Sequence, residues 1–115
     1  MFARLLRLFR PKTDGPQWLD AGELRGRIKG ANAPMLIDVR EPDEFTGPLW
    51  HIDGAINIPL AALAGRAGDL ARAGCPIVLV CLTDKRSSQA ADMLAAAGAP
   101  DVAVLRGGMR DWGKV

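Results

Sequence analysis

The stretch Ile77-Val78-Leu79-Val80-Cys81 is continuous, apolar and rich in β-branched residues, and the more polar stretch Leu82-Thr83-Asp84-Lys85-Arg86-Ser87-Ser88 follows it directly. An apolar run of this length is typical of a strand buried at the centre of a parallel sheet. Residues 86–97 have the composition of a helix, and Gly98 is a residue that commonly ends one. Together the segments predict a buried strand, a short loop and a helix, the repeating unit of an α/β fold.

The alternation of strand and helix continues on both sides of this unit. Apolar runs predict further strands at residues 35–39, 55–58 and 102–105. Helical patterns and caps predict helices at residues 20–29, 41–45, 60–73 and 109–112. Because the connections are short, the pattern predicts a three-layer α/β sandwich, in which helices flank a mostly parallel central sheet of about five strands.

The first 16 residues differ in composition from the rest of the chain. Apolar and basic side chains fall on opposite faces at helical spacing, which predicts an amphipathic basic helix over residues 1–10, a linker to residue 16, and a domain at 17–115. Three roles are open for this helix. It would contact an anionic membrane surface, mediate self-association or packing on its own domain, or form a mobile tail.

The charge of the chain is unevenly distributed. Residues 1–12 carry four basic residues and no acid, whereas the remainder carries eleven basic and thirteen acidic residues. A slightly negative body without a stripe of Lys and Arg lacks the electrostatic footprint of a nucleic-acid-binding protein. No stretch approaches the roughly 20 apolar residues of a membrane span. We therefore expect no nucleic-acid partner, and a cytoplasmic protein that is at most peripheral to a membrane.

The chain has two cysteines, Cys75 and Cys81, and one histidine, His51. At about 3.3 Å per residue the cysteines would lie roughly 20 Å apart along the predicted strand, too far for a disulfide. A lone functional thiol suits a reducing compartment. We expect His51 to be buried and hydrogen-bonded to the backbone. These residues cannot build a zinc site, and no dinucleotide or phosphate-loop fingerprint is present, so we expect no metal and no cofactor.

Cys81 stands where open α/β sheets bind ligands, beyond the carboxyl end of a strand and before the N-terminus of the next helix. Free N–H groups and the helix dipole favour a thiolate there, and Lys85 and Arg86 add positive charge. Basic residues at a helix N-terminus oppose the dipole, so local stability does not explain them. Two interpretations follow: an activated nucleophile in an anion pocket, or a small buried hydrophobe.

Four segments of the chain resemble motifs of the rhodanese family. Cys81 to Ser87 resembles the active-site loop, Cys-x4-Arg-Ser/Ala. The other three segments are residues 37–45, 51–59 and 105–112, which resemble D-V-R-E-x-x-E-[FY], G-H-I-P-G-A-x-N-[IV]-P and L-x-G-G-[MFW]-x-x-W. The motifs occur in the family's order and spacing between Trp18 and Val115, and the resemblance implies a rhodanese-like domain over that range.

The resemblance implies a persulfide relay. Cys81 would take sulfur from a small-molecule donor such as thiosulfate and pass it to a thiol acceptor or to cyanide. The outer sulfur would be held by the backbone N–H groups of Leu82, Thr83, Asp84, Lys85, Arg86 and Ser87. Arg86 would shape the loop and attract the donor, or form a structural ion pair with a carboxylate. Asp38 and Arg40 would line the pocket rim, or form an ion-pair network that supports it.

The length of the loop and three departures from the motifs keep alternatives open. The loop from Cys81 to Arg86 has six residues, the length that goes with sulfur transfer, whereas related phosphatases use one more. Trp50 and Asp53 stand where the family usually has Gly and Pro. Asp84 replaces a common Gly; aspartate tolerates a positive φ, but its charge opposes an anionic donor. The alternatives are a sulfur carrier or partner-docking module without turnover, and then a phosphatase or arsenate reductase.

Overall fold

Five strands form one sheet in the computed structural model of the protein, which describes residues 15–113. The strands are β1 (Gln17–Leu19), β2 (Met35–Asp38), β3 (Ile56–Asn57), β4 (Ile77–Val80) and β5 (Val102–Leu105). They lie in the order β1-β5-β4-β2-β3, and every neighbouring pair is parallel. The predicted parallel α/β sheet is confirmed, whereas the helix predicted over residues 1–10 lies outside the described residues.

Strand β4 occupies the centre of the sheet. It pairs with β2 on one side and β5 on the other, and all four of its residues are buried. Because successive side chains of a strand point to opposite faces, Ile77 and Leu79 pack into one apolar cluster, and Val78 and Val80 pack into a second. Burial on both faces explains why this segment is apolar throughout rather than alternating.

The described chain has six helices, and five of them cover the two faces of the sheet and complete three layers. The six are α1 (Ala21–Lys29), α2 (Pro42–Phe45), α3 (Leu60–Leu63), α4 (Ala67–Ala73), α5 (Lys85–Ala96) and α6 (Gly108–Trp112). Leu63, Leu70 and Leu94 place α3, α4 and α5 against one face. Leu24 and Met109 place α1 and α6 against the other. None of the helices within residues 15–113 is long and apolar enough to cross a membrane.

Local signals set several of the helix ends. Asp20 caps α1, because its carboxylate accepts a hydrogen bond from the Glu23 N–H at 2.7 Å and the Glu23 carboxylate accepts one from the Asp20 N–H at 3.0 Å. Helix α2 begins at Pro42, whose fixed φ suits the first helical position. The helical segment predicted over residues 60–73 is divided into α3 and α4, and Gly65 lies in the break.

The sequence pattern does not predict β1. This strand has three residues, of which Leu19 alone is buried, so it shows neither an apolar run nor a full alternation. It is held by its parallel pairing with β5 at the edge of the sheet, a contact between residues more than 80 positions apart. Pairing with a well-formed neighbour therefore determines this strand more than its own composition does.

Candidate active site

Cys81 directly follows β4 at the carboxyl edge of the sheet, and α5 begins four residues later at Lys85. The side chain is 1% exposed and packs at the end of an apolar cluster that includes residues of β4 and α5. The backbone N–H of Ser87, in the first turn of α5, donates a hydrogen bond to the Cys81 sulfur with an N···S distance of 3.4 Å. The sulfur thus lies between a strand end and a helix N-terminus.

Ser87 offers the same sulfur a second contact. Its side chain is fully buried, and its Oγ lies 3.3 Å from the Cys81 Sγ. When Cys81 is a thiolate, the serine hydroxyl can only donate in this pair. The N–H and O–H of one residue are therefore both placed to donate to the sulfur. The motif indicated the backbone N–H of Ser87, but the hydroxyl contact depends on the rotamer, which the sequence does not specify.

The loop after Cys81 has its carbonyl groups packed against the start of α6. Gly108 has a φ of +53°, and a Cβ at this position would lie 2.3 Å from the carbonyl oxygens of Cys81 and Thr83 and 2.7 Å from that of Leu82. No side chain fits at these distances. Gly108 is therefore required by the approach of the loop as well as by its own left-handed backbone.

Helix α6 also binds these carbonyls directly. The N–H groups of Met109 and Arg110 donate to the carbonyls of Cys81 and Leu82 at 2.8 and 2.9 Å. Because the peptide bonds are trans, the N–H group of each peptide points away from its C=O, and hence away from α6. Within residues 15–113, the backbone N–H groups of residues 82–86 donate no hydrogen bond. They form a short row of free donors, which suits an anion.

Arg86 forms a two-point ion pair with Glu44 of α2. The Arg86 Nη1 and Nη2 atoms lie 2.7 and 3.0 Å from the Glu44 Oε1 and Oε2 atoms, and each side chain is about one-third exposed. The hydrogen bonds from Arg86 lower the pKa of Glu44 from its ordinary 4.5 to about 2. The same bonds raise the pKa of Arg86. Of the two roles predicted for Arg86, the structure contains the ion pair.

Both the sequence and the structure of the chain match known proteins. The model of the rhodanese-like domain matches residues 20–114. The chain belongs to the rhodanese-like domain family. It is 43% identical over 84 residues to YqhL, an uncharacterized protein of Bacillus subtilis, and these residues cover 73% of the chain and 64% of YqhL. The matched part of the chain spans between 40% and 64% of the length of three curated relatives, of which YqhL is one.

Two further matches to this rhodanese-like domain are informative. The thiosulfate sulfurtransferase GlpE of Shewanella oneidensis is 36% identical over 85 residues, which cover 71% of the chain and 78% of GlpE. The solved structure of the rhodanese-like domain of the Anabaena protein Alr3790 superimposes with a TM-score of 0.75 at 32% identity, covering 86% of the chain and 74% of that structure. The fold and the family are thereby both established.

Beneath the loop of this rhodanese-like domain, Asp38 and Arg40 form a buried ion pair. The Arg40 Nη2 and Asp38 Oδ2 atoms are 2.8 Å apart, and both residues are at most 1% exposed. Arg40 also donates to the carbonyls of Glu44 and Trp50 at 3.1 and 2.7 Å. Asn57 of β3 donates to the carbonyls of Asp38 and Arg40. These contacts favour the interpretation of a supporting network, since neither side chain reaches an open rim.

Trp50 occupies a position that is usually glycine in rhodanese-like domains. It is the one non-glycine residue with a positive φ among residues 15–113, at 55°, so the backbone keeps the form that glycine would adopt. The adjacent His51 donates from Nδ1 to the Phe45 carbonyl at 2.8 Å, as expected, although its ring is half-buried rather than buried. The His51 ring also stacks on the rings of Phe45 and Trp50.

Asp84 ends the loop immediately before α5. Its φ is −150°, so the loop turns without the positive φ that an aspartate tolerates. Its half-buried carboxylate forms no ion pair and caps no N–H group within residues 15–113. Lys85 beside it is exposed. The loop therefore combines free N–H donors with one uncompensated negative charge.

The two cysteines of this rhodanese-like domain are both free. Cys75 lies before β4 and Cys81 after it, at opposite edges of the sheet, which confirms that they do not pair. Within the described residues, no three His, Cys, Asp or Glu side chains are grouped in a way that could hold a metal ion.

Proposed function

We propose that this rhodanese-like domain is a sulfurtransferase that carries sulfane sulfur as a persulfide on Cys81. The observation that carries the proposal is the convergence of the Ser87 N–H and hydroxyl on the Cys81 sulfur, at 3.4 and 3.3 Å. The free N–H groups of residues 82–86 lie next to that sulfur along the chain. Donors fixed in this way stabilise a thiolate and then the terminal sulfur of a persulfide.

The proposed reaction has two steps. The Cys81 thiolate attacks the outer sulfur of thiosulfate, a sulfur–sulfur bond forms, and sulfite leaves with the electron pair of the bond that breaks. A thiolate acceptor or cyanide then attacks the outer sulfur of the persulfide, and Cys81 is released as a thiolate. Neither step needs a cofactor. The partners are a small-molecule donor and a thiol acceptor, and a reducing cytoplasm would keep the free thiol available.

A second candidate function is that of a sulfur carrier with little turnover. Asp84 places an uncompensated carboxylate in the loop, and the charge of Arg86 is already shared with Glu44. Both features weaken the attraction of a dianionic donor. They favour loading from a persulfide donor over loading from thiosulfate.

Asp84 provides a direct test of donor choice. We expect Asp84→Asn to raise kcat/KM for thiosulfate by about fivefold, because removing a like charge at the site relieves roughly 1 kcal/mol of repulsion. The rate with a persulfide donor, which carries less charge, should change less. Lys85→Gln is the neighbouring control and should change thiosulfate turnover in the opposite direction. If Asp84→Asn leaves both rates unchanged, the carboxylate does not select the donor.

Intact-mass analysis tests the proposed function. After incubation with thiosulfate or a persulfide donor, the protein should gain the mass of one sulfur atom, and cyanide should remove it. Cys75→Ser should load normally, whereas Cys81→Ser should not load. Loading that persists in Cys81→Ser, or hydrolysis of an aryl phosphate that depends on Cys81, would overturn the proposal. Stoichiometric loading without turnover on any small acceptor would favour the carrier.

A further inference from the structure

A cleft of about 300 Å³ opens on the sheet face that carries α1 and α6. Its walls are seven residues from α1, α6 and the segment between α2 and β3: Arg25, Ile28, Lys29, His51, Ile52, Asp53 and Trp112. None of them belongs to the loop of residues 81–87. A liquid water occupies about 30 Å³, so the cleft has the volume of roughly ten waters, enough for a small organic molecule.

Arg25 is held at this cleft with an unused donor. Its Cζ atom lies 3.8 Å from the centre of the Trp112 ring, and its Nη2 donates to the Trp112 carbonyl at 2.7 Å. Its Nε is buried, and among residues 15–113 it has no hydrogen-bond acceptor. A ligand cannot reach this buried atom directly, but the Arg25 guanidinium forms no ion pair within residues 15–113, so its positive charge is available to an anion at the cleft wall.

The other walls of the cleft define the ligand further. Lys29 lies four residues after Arg25 on the same side of α1, which adds a second positive charge. Asp53 is the one carboxylate of the lining, and it is exposed. Ile28 and Ile52 contribute apolar surface. The lining therefore combines a cationic part with an apolar part.

We propose that this cleft binds a small organic anion, in which a carboxylate or phosphate group is attached to an apolar body. The anionic oxygens would accept hydrogen bonds from Arg25 and lie near the Lys29 ammonium. The apolar body would pack against Ile28 and Ile52. This site is separate from Cys81, so the proposal does not depend on the proposed sulfurtransferase activity.

Four probes test the site, and the binding of each is measured by two-dimensional NMR of the full chain. Benzoate and phenyl phosphate share the proposed chemistry, benzamide lacks the charge, and inorganic phosphate lacks the apolar body. We expect benzoate or phenyl phosphate to shift the Trp112 indole and Ile28 and Ile52 methyl resonances at saturating concentration. Benzamide and inorganic phosphate should each bind at least about tenfold more weakly, since a charged hydrogen bond and a buried ring each contribute that much. Equal affinity for benzoate and benzamide would overturn the proposal.

Variants of α1 locate the charge that binds the anion. Arg25→Gln and Lys29→Gln should both weaken the preferred anion, whereas Arg27→Gln, on the same helix but outside the cleft, should not. Arg25 also supports the Trp112 carbonyl, so Lys29→Gln keeps the test valid if Arg25→Gln unfolds. Cys81→Ser should bind the anion normally, which separates this result from the sulfurtransferase test. An equal loss of affinity for the anion in Arg27→Gln and Lys29→Gln would contradict the proposed anion site.

Discussion

The Glu44 carboxylate connects helix α2 to the loop of residues 81–87 through its ion pair with Arg86. The motif placed Arg86 in that loop and allowed an ion pair, but it did not identify the partner. Glu44 and Arg86 are 42 residues apart, and their side chains meet because β2 and β4 are neighbours and end at the same edge of the sheet. The type of contact could therefore be predicted from the sequence, whereas the residue that makes it depends on the packing of α2 against the loop.

The pair between Glu44 and Arg86 should contribute a measurable, pH-dependent part of the stability. Because the pKa of Glu44 is lowered to about 2, this contribution is fully present above the ordinary value of 4.5 and is lost as the pH falls towards 2. At neutral pH, Glu44→Gln should lower the free energy of unfolding by about 0.5–1 kcal/mol, since both side chains are partly exposed. Asp43→Asn, an exposed neighbour, is the control. If denaturant melts give the same free energy of unfolding for the two variants from pH 7 down to pH 3, the ion pair between Glu44 and Arg86 contributes nothing to stability.

At Ser87, the hydroxyl and the backbone N–H are separable by mutation. Ser87→Ala keeps the N–H contact and removes the hydroxyl contact, so persulfide formation on Cys81 should slow by roughly tenfold, the value of one hydrogen bond to a charged group. Ser88→Ala is the matched control, because the Ser88 hydroxyl bonds the Asp84 carbonyl instead. Stopped-flow loading with thiosulfate measures both. Equal rates in the two variants would remove the hydroxyl from the mechanism.

At the level of the elements, α6 supports the loop through backbone hydrogen bonds from Met109 and Arg110. A methyl group at Gly108 would meet two carbonyl oxygens at 2.3 Å and would also sit on a left-handed backbone. We expect Gly108→Ala to lower the free energy of unfolding by about 3 kcal/mol and to displace the loop. Gly26→Ala, at an exposed position of α1 with no neighbour within 4 Å, should instead stabilise by about 0.5–1 kcal/mol. Thermal melts of the two variants that shift in the same direction would contradict this account.

The elements differ in how far the sequence determines them. Strand β4 and helix α5 follow from an apolar run and a helical composition, because each buries its own residues in a repeating pattern. Strand β1 buries a single residue, so its existence depends on β5 rather than on its own sequence. The cleft beside Arg25 has the same origin, since it forms where α1, α6 and residues 51–53 meet. Contacts between segments that lie far apart along the chain cannot be predicted from local sequence patterns.

At the level of the whole molecule, the parallel sheet places the segments that follow its strands at one edge. The carboxyl ends of β2, β4 and β5 lead into Arg40, Cys81 and Gly108, which is why motifs spread over 70 residues form one site. This convergence could be predicted, because strands that alternate with helices run parallel and their ends coincide.

The positions of the two cysteines should give them different reactivity towards large reagents. Cys75 is half-buried before β4, whereas Cys81 is 1% exposed. A bulky maleimide should therefore modify Cys75 first, while the smaller thiosulfate should load Cys81. Mass analysis of Cys75→Ser and Cys81→Ser after timed exposure separates the two sites. If the maleimide modifies Cys81 as fast as Cys75, the loop opens more readily than its packing indicates.

A strand with a thiol at each end also offers a means of orientation. Five residues, Pro76 and the four of β4, separate the two cysteines along the chain, and only Cys81 belongs to the loop that follows the strand. Anchoring the protein to a gold electrode or a bead through Cys75 would present the opposite edge to the bulk solution. Every immobilised molecule would then face the same way, and sulfur delivery to a soluble acceptor would proceed without steric hindrance from the support.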